Sequence, residues 1–265
     1  MKILFTDFDA TLATDDKKIS DKDYNALKKL AESGVKIVLC TGRMTSSSKK
    51  VAKLFPYFPA IATYNGGELL NEKGEIIESS LMAPSEAAAF ARYGEENGLI
   101  CHAYTDFVLT EYDNPHTKRY AEVIGSKYVA LGKKVSEYIL ENNLKMPKIQ
   151  LCVLNGEIGA YADYLEKKYA ETNEFWRFGT SCLGIFCKGI NKGYALKRLC
   201  AYYGINQSEA VAVGDGSNDT EMIKEAGIGV AVQNADESLK AAADLVTESP
   251  NGGAIAEIAE KIFKL

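Results

Sequence analysis

The chain has 265 residues, 46% hydrophobic and 25% charged, with 31 basic against 36 acidic side chains and a net charge of −5. That length allows one large domain or two ordinary ones, and the composition suits a protein with a packed core. The slight acidic excess, without a basic run, argues against nucleic acid as a partner, and no apolar stretch reaches the roughly 18 residues of a membrane span.

Ile3-Leu4-Phe5 predicts a buried strand that ends at Asp7-Phe8-Asp9. In a strand, residues two apart share a face, so Asp7 and Asp9 fall on one side at its carboxyl end. Ser20 is a helix cap with acids in the first turn behind it, and Gly34 closes that helix. Val35–Cys40 predicts a second strand, ending at Thr41-Gly42-Arg43, with a helix to Leu54 after it. Ala60–Thr63 predicts a third, ending at Tyr64-Asn65-Gly66-Gly67, and a hairpin turns over Asn71 to Gly74. Strand and helix alternate, which implies an α/β fold: a Rossmann-like parallel sheet with right-handed crossovers and helices on both faces.

The pattern changes near Met82-Ala83-Pro84. Pro84 opens a helix closed by Gly98, and further helices are expected over 116–124, 133–142 and 158–170. Strands are expected within 99–112, over Lys148–Leu154, and as one run over Phe175–Cys187. The block 82–188 reads as an α+β domain inserted into a core made of 1–81 and 189–265. The parallel pattern then resumes. A helix follows Lys192, a strand over Ala210–Val213 ends at Gly214-Asp215-Gly216-Ser217-Asn218-Asp219, and another strand covers Ile228–Val232. Short helices complete the chain, the last over Ala254–Phe263.

Six cysteines (Cys40, Cys101, Cys152, Cys182, Cys187, Cys200) form neither a CxxC pair nor a zinc spacing. They read as small buried hydrophobes in a reducing cytoplasm. The first strand starts at Lys2, which leaves no room for a signal peptide. His102 and His116 are the only histidines, and both read as packing or surface residues.

Four polar clusters fall at strand ends or the helix start after one: Asp7/Asp9, Thr41-Gly42, Lys192 and Asp215/Asn218/Asp219. Ligands of open α/β sheets bind beyond the carboxyl ends of the strands. Carboxylates suit a hard cation, while a hydroxyl, glycine N–H groups and an ammonium suit phosphate oxygens. With that charge offset, an ionised Asp7 can attack phosphorus and Asp9 can move the proton. Each cluster alone is more often an ordinary turn, acidic loop or helix start. The ordered set of four is what singles out phosphate chemistry.

The motifs DFDATL at Asp7–Leu12, TGR at Thr41–Arg43, YNGG at Tyr64–Gly67, KGINKGYAL at Lys188–Leu196 and GDGSND at Gly214–Asp219 resemble those of the haloacid dehalogenase (HAD) superfamily, Cof-type (class IIB) branch. The resemblance runs nearly the full length and is weakest in the insert. It implies a Mg²⁺-dependent cytoplasmic phosphatase of small phosphorylated metabolites, with sugar phosphates foremost. By that resemblance Asp7 is the nucleophile and Asp9 the general acid/base. Thr41, Gly42, Lys192 and Asn218 bind the phosphoryl group, and Asp7, the Asp9 carbonyl and Asp215 hold Mg²⁺. Asp219 orients its loop and Lys192, Arg43 and Asn65 are candidates to touch substrate, and the insert is the specificity cap. Ala10 stands where the family usually has Gly, a position that accepts Ala if its φ is negative. A phosphomutase using the same aspartyl phosphate and a catalytically weak phosphate-binding protein are the alternatives. A receiver domain would need its acceptor Asp on a middle strand and about half this length.

Overall fold

In a computed structural model describing residues 1–265, the apolar run Ile3–Thr6 forms β1, fully buried in the middle of an eight-stranded sheet. The chain continues through α1 (Asp21–Glu32), β2 (Lys36–Cys40), α2 (Thr45–Ala52), β3 (Ala60–Thr63), β4 (Glu68–Leu70) and β5 (Ile76–Ser79). Ser20 caps α1 by accepting the Asp23 N–H at 3.1 Å, as its position before an acidic first turn requires.

The next elements are α3 (Pro84–Glu96), β6 (Ile100–Tyr104), β7 (Val108–Thr110), α4 (Pro115–Val123), β8 (Tyr128–Ala130) and α5 (Val135–Glu141). Then come β9 (Ile149–Cys152), α6 (Gly159–Tyr169), β10 (Asn173–Phe178) and β11 (Cys182–Cys187). The chain ends with α7 (Lys192–Tyr203), β12 (Ala210–Gly214), α8 (Thr220–Glu225), β13 (Ile228–Ala231), α9 (Glu237–Ala242), β14 (Leu245–Val246) and α10 (Ala254–Ile258), which runs on into a π turn over Ala259–Phe263.

Two units result: Met1–Arg43 with Ser48–Glu78 and Asn191–Leu265, and Met44–Ser47 with Ser79–Ile190. The first holds the sheet β14-β13-β12-β1-β2-β3-β4-β5. Its strands from β14 to β3 are parallel, and β3 to β4 is antiparallel. Central strands of such a sheet are covered on both faces, which is why they read as unbroken apolar runs. Ile3, Leu4, Val38, Leu39, Val211 and Val213 are sealed from solvent together with Leu27 and Leu30 of α1 and Leu196 and Leu199 of α7. Each such side chain contributes about 1.5–3 kcal/mol by leaving water.

The second unit has a six-stranded sheet, β10-β11-β9-β6-β7-β8, antiparallel except for β7 with β8. Alternation sorts its residues. Ile149, Leu151, Leu183 and Ile185 join an apolar cluster with Phe90 of α3 and Ile139 of α5. Lys148, Gln150 and Cys152 fall on the other face.

Three expectations change. The single run expected over Phe175–Cys187 is a hairpin, β10 and β11, reversed at Gly179 with φ +59. Strands β8 and β14 were not anticipated; at three and two residues they are too short to carry a period. Two cysteines are not lone hydrophobes: Cys152 and Cys182 face each other in register on antiparallel β9 and β11 and form a disulfide. Thirty residues separate them, so spacing gave no hint. Cys40, Cys101, Cys187 and Cys200 are free.

Candidate active site

Strands β12, β1 and β2 lie side by side and parallel, so the residues after their last pairs come together. Asp7 follows β1, Thr41 follows β2 and Asp215 follows β12. Lys192 reaches the same place from the first turn of α7, whose cap Asn191 accepts the Tyr194 N–H at 2.8 Å. The Lys192 side chain is wholly buried; its Nζ lies 2.8 Å from Asp7 Oδ1 and 2.6 Å from Asp219 Oδ1. The other oxygen of Asp219 accepts the N–H groups of Asp215 and Gly216 at 3.0 and 3.1 Å, so this carboxylate ties the loop to the lysine. A Cβ on Gly214 would overlap the Asp219 carboxylate, so that position needs glycine.

Carboxylate oxygens of Asp7, Asp215 and Asp219 all lie within 4.8 Å of one another. Three acids thus share one ammonium. Burial, with Asp219 and Asp215 close by, pushes the Asp7 carboxyl up against the pull of Lys192. Burial also raises Asp215, although Thr11 Oγ1 donates to its Oδ1 at 2.5 Å. For Lys192, burial disfavours the charge, but Asp219 and Asp7 more than offset it and its pKa rises.

Asp9 points elsewhere. Arg43 grips both of its oxygens, Nε to Oδ2 and an Nη to Oδ1, each at 2.7 Å, and Lys17 Nζ adds a 3.0 Å contact. Burial would favour the acid form, yet these cations hold the carboxyl below its usual range. Asp9 is therefore an ionised base in this arrangement. The turn after it departs from expectation: Ala10 has φ +58, not a negative value. The chain must reverse here between β1 and the loop, and Asn234 Nδ2 holds the Ala10 carbonyl at 2.8 Å. A left-handed alanine costs about 1–2 kcal/mol.

Thr41 is buried, and its Oγ1 accepts the Arg43 N–H at 3.2 Å. Gly42 sits against Asn65, whose Oδ1 would stand 3.1 Å from a Cβ there. Asn65, buried and at φ +55, accepts the Asn218 Nδ2 at 3.2 Å, while its own Nδ2 is buried with no acceptor. The adjoining Gly66, at φ +105, lets the loop pass against the Asn191 carbonyl of the lysine-bearing helix. All the core residues singled out from the sequence therefore lie in the first unit, linked through adjacent strand ends and the Asn65 loop. Sequence reading missed Lys17, Thr11 and Asn234. Only Thr11, inside the first motif, carried a signal.

A model of the haloacid dehalogenase-like hydrolases matches residues 4–258. A phosphoglycolate phosphatase of Staphylothermus marinus is 29% identical over 90% of this chain and 87% of its own. A 5-amino-6-(5-phospho-D-ribitylamino)uracil phosphatase of Bacillus subtilis is 26% identical over 99% and 98%. Among solved structures, a protein from Thermotoga maritima superposes with a TM-score of 0.87 at 27% identity, covering 98% of this chain and 97% of that one. A HAD subclass IIB sugar phosphatase does so with 0.81 at 25% identity, covering 100% and 99%. With its strand-end acids, its lysine helix and a match that spans both units, the chain belongs to the haloacid dehalogenase-like hydrolases, in the Cof-type, subclass IIB branch, and is a phosphatase of that family.

Proposed function

We propose that the protein hydrolyses small phosphomonoesters, sugar phosphates foremost, with Mg²⁺ and through an aspartyl phosphate on Asp7. One observation carries the reading: the Asp7 carboxylate stands 2.8 Å from a buried lysine, amid two more carboxylates from the loop that follows the neighbouring strand β12. The donor set fits a hard divalent cation, because all its atoms are oxygens and three carboxylates against one ammonium leave excess negative charge. Asp7, the Asp9 carbonyl and Asp215 would hold the ion. Asp219 is excluded, since Lys192 and two backbone N–H groups already use its oxygens. Bound there, Mg²⁺ supplies charge neutralisation at the phosphoryl oxygens.

The chain's own groups do the rest. Lys192, Thr41, the Gly42 N–H and Asn218 hold the phosphoryl oxygens, and Asn65 Nδ2 is a further donor without a partner. Asp7 attacks phosphorus and the ester oxygen leaves. Asp9, ionised while Arg43 holds it, first takes up a proton from solvent, gives that proton to the leaving oxygen, and then takes one from the water that opens the acyl phosphate, a role worth about 10²–10⁴-fold. To do so it must part from Arg43, which becomes available to the substrate. Discrimination among substrates belongs to the insert, residues 82–188. Its sheet face carries a polar chain, Lys148–Gln150–Tyr120–Tyr104, with contacts of 2.7, 3.1 and 2.7 Å. No helix is long and apolar enough to cross a membrane, and a cytoplasmic site of action completes the reading.

Chelation tests it. Activity against a panel of sugar phosphates should vanish with a chelator and return with Mg²⁺. Undiminished turnover in the chelated protein would refute the metal assignment.

A further inference from the structure

The cap disulfide has polar company that a passive staple does not need. Cys152 and Cys182 lie on the same sheet face as Gln150, opposite the apolar cluster. Gln150 Nε2 stands 3.4 Å from Cys152 Sγ. An imidazole nitrogen of His116, on α4, lies within 4.8 Å of both sulfurs, and its Nδ1 is buried without a partner. Partial burial lowers the His116 pKa, so the ring is neutral and can accept a proton at pH 7. The two residues also differ in exposure: Cys152 is fully buried, while Cys182 keeps 7% of its surface.

We propose that Cys152 and Cys182 form a reversible dithiol–disulfide site, exchanging with low-molecular-weight thiols by attack at Cys182. An external thiolate bonds to Cys182 Sγ, the Cys152–Cys182 bond breaks, and Cys152 leaves as a thiolate. The Gln150 N–H donates to that thiolate, and His116 takes up the proton that the external thiol releases on ionising and passes it to the Cys152 thiolate. A second external thiolate attacks the outer sulfur of the mixed disulfide and releases Cys182. Two external thiols are oxidised to one small disulfide, and the protein disulfide is reduced to two thiols. A small-molecule disulfide drives the reverse. The other four cysteines take no part.

The test equilibrates the intact, folded protein in buffers of reduced and oxidised glutathione, quenches with acid, and measures alkylation of the Cys152 and Cys182 peptides by mass spectrometry. The expected result is full interconversion without denaturant, following one two-electron transition. Cys152→Ser should trap one glutathione on Cys182, whereas Cys182→Ser should trap less than a tenth as much on Cys152. Circular dichroism checks that both variants fold, and the wild-type titration stands without them. Four results would overturn the proposal: a disulfide reduced only after unfolding, thiols that stay reduced in oxidised glutathione, equal adducts in the two variants, or a reduced protein that takes up Zn²⁺ at these thiols and resists oxidation.

Discussion

Two lysines are buried in this molecule, and they are held in opposite ways. Lys192 in the core is wedged between Asp7 and Asp219, and its charge is secured. Lys148 in the cap has one neutral acceptor, Gln150 at 2.7 Å, and the faces of Tyr104, Phe178 and Phe186 with centroids at 4.7, 4.4 and 5.6 Å. Burial pulls its pKa down to about 7. Ring faces attract a cation, yet they do not replace the water or carboxylate it has lost. Burial alone therefore does not decide whether a lysine is charged; the partners it is buried with do. The core lysine is a fixed charge suited to an anionic substrate. The cap lysine changes charge near neutrality.

The largest effect should come from breaking the core arrangement. Lys192→Met removes the ammonium that the proposed mechanism sets against the phosphoryl group and strands two acids, Asp7 and Asp219, in a buried site. Turnover should fall by about 10³-fold or more. Stability near pH 8 should fall by about 3–5 kcal/mol. The stability loss should shrink toward pH 5, because the Asp7 carboxyl already binds its proton unusually readily. Denaturant melts at the two pH values measure this, and an equal loss at both would contradict the coupling.

Lys148→Met should act with the opposite sign. In the folded state Lys148 loses its proton near pH 7, and in the unfolded chain near the usual 10.5. Between those values the unfolded state binds more protons, so this group makes wild-type stability rise with pH. The gain from pH 7 to 10 should be roughly 2–4 kcal/mol, reduced by whatever the rings return to the cation. The methionine variant should lack that slope and be the more stable protein at pH 6. An unchanged slope would mean that Lys148 stays charged when folded.

Ala10→Gly should be the gentlest change, since it leaves both lysines and every acid in place. It removes the strain of φ +58 but frees the unfolded chain, so a net stabilisation of up to about 1 kcal/mol is expected. Thermal melts with the activity assay check it. A destabilised variant would show that the alanine methyl packs usefully.

The core site was readable because its logic is topological. Once β1, β2 and β12 are taken as parallel neighbours, Asp7, Thr41 and Asp215 must meet at their ends. What escaped reading depends on side-chain reach across loops. Arg43 and Lys17 holding Asp9, and Thr11 donating to Asp215, follow from loop conformations that carry no period. The Ala10 turn escaped because alanine is seldom left-handed. In the cap, the pairing of Cys152 with Cys182 is set by the register of β9 and β11, which spacing does not reveal. The polar cap face escaped for a related reason: strand alternation marks Lys148 and Gln150 as off the apolar face, yet does not say that Tyr120 of α4 reaches Gln150 or that aromatic rings surround Lys148.

The central claim is that Asp7 becomes phosphorylated. Protein mixed with Mg²⁺ and a turned-over sugar phosphate, quenched within one turnover and reduced with borohydride, should carry homoserine at position 7 in its tryptic peptides. The label should depend on substrate and should be missing from Asp7→Asn. Turnover with an unlabelled Asp7, or with the label at Asp9 or Asp215, would contradict the account.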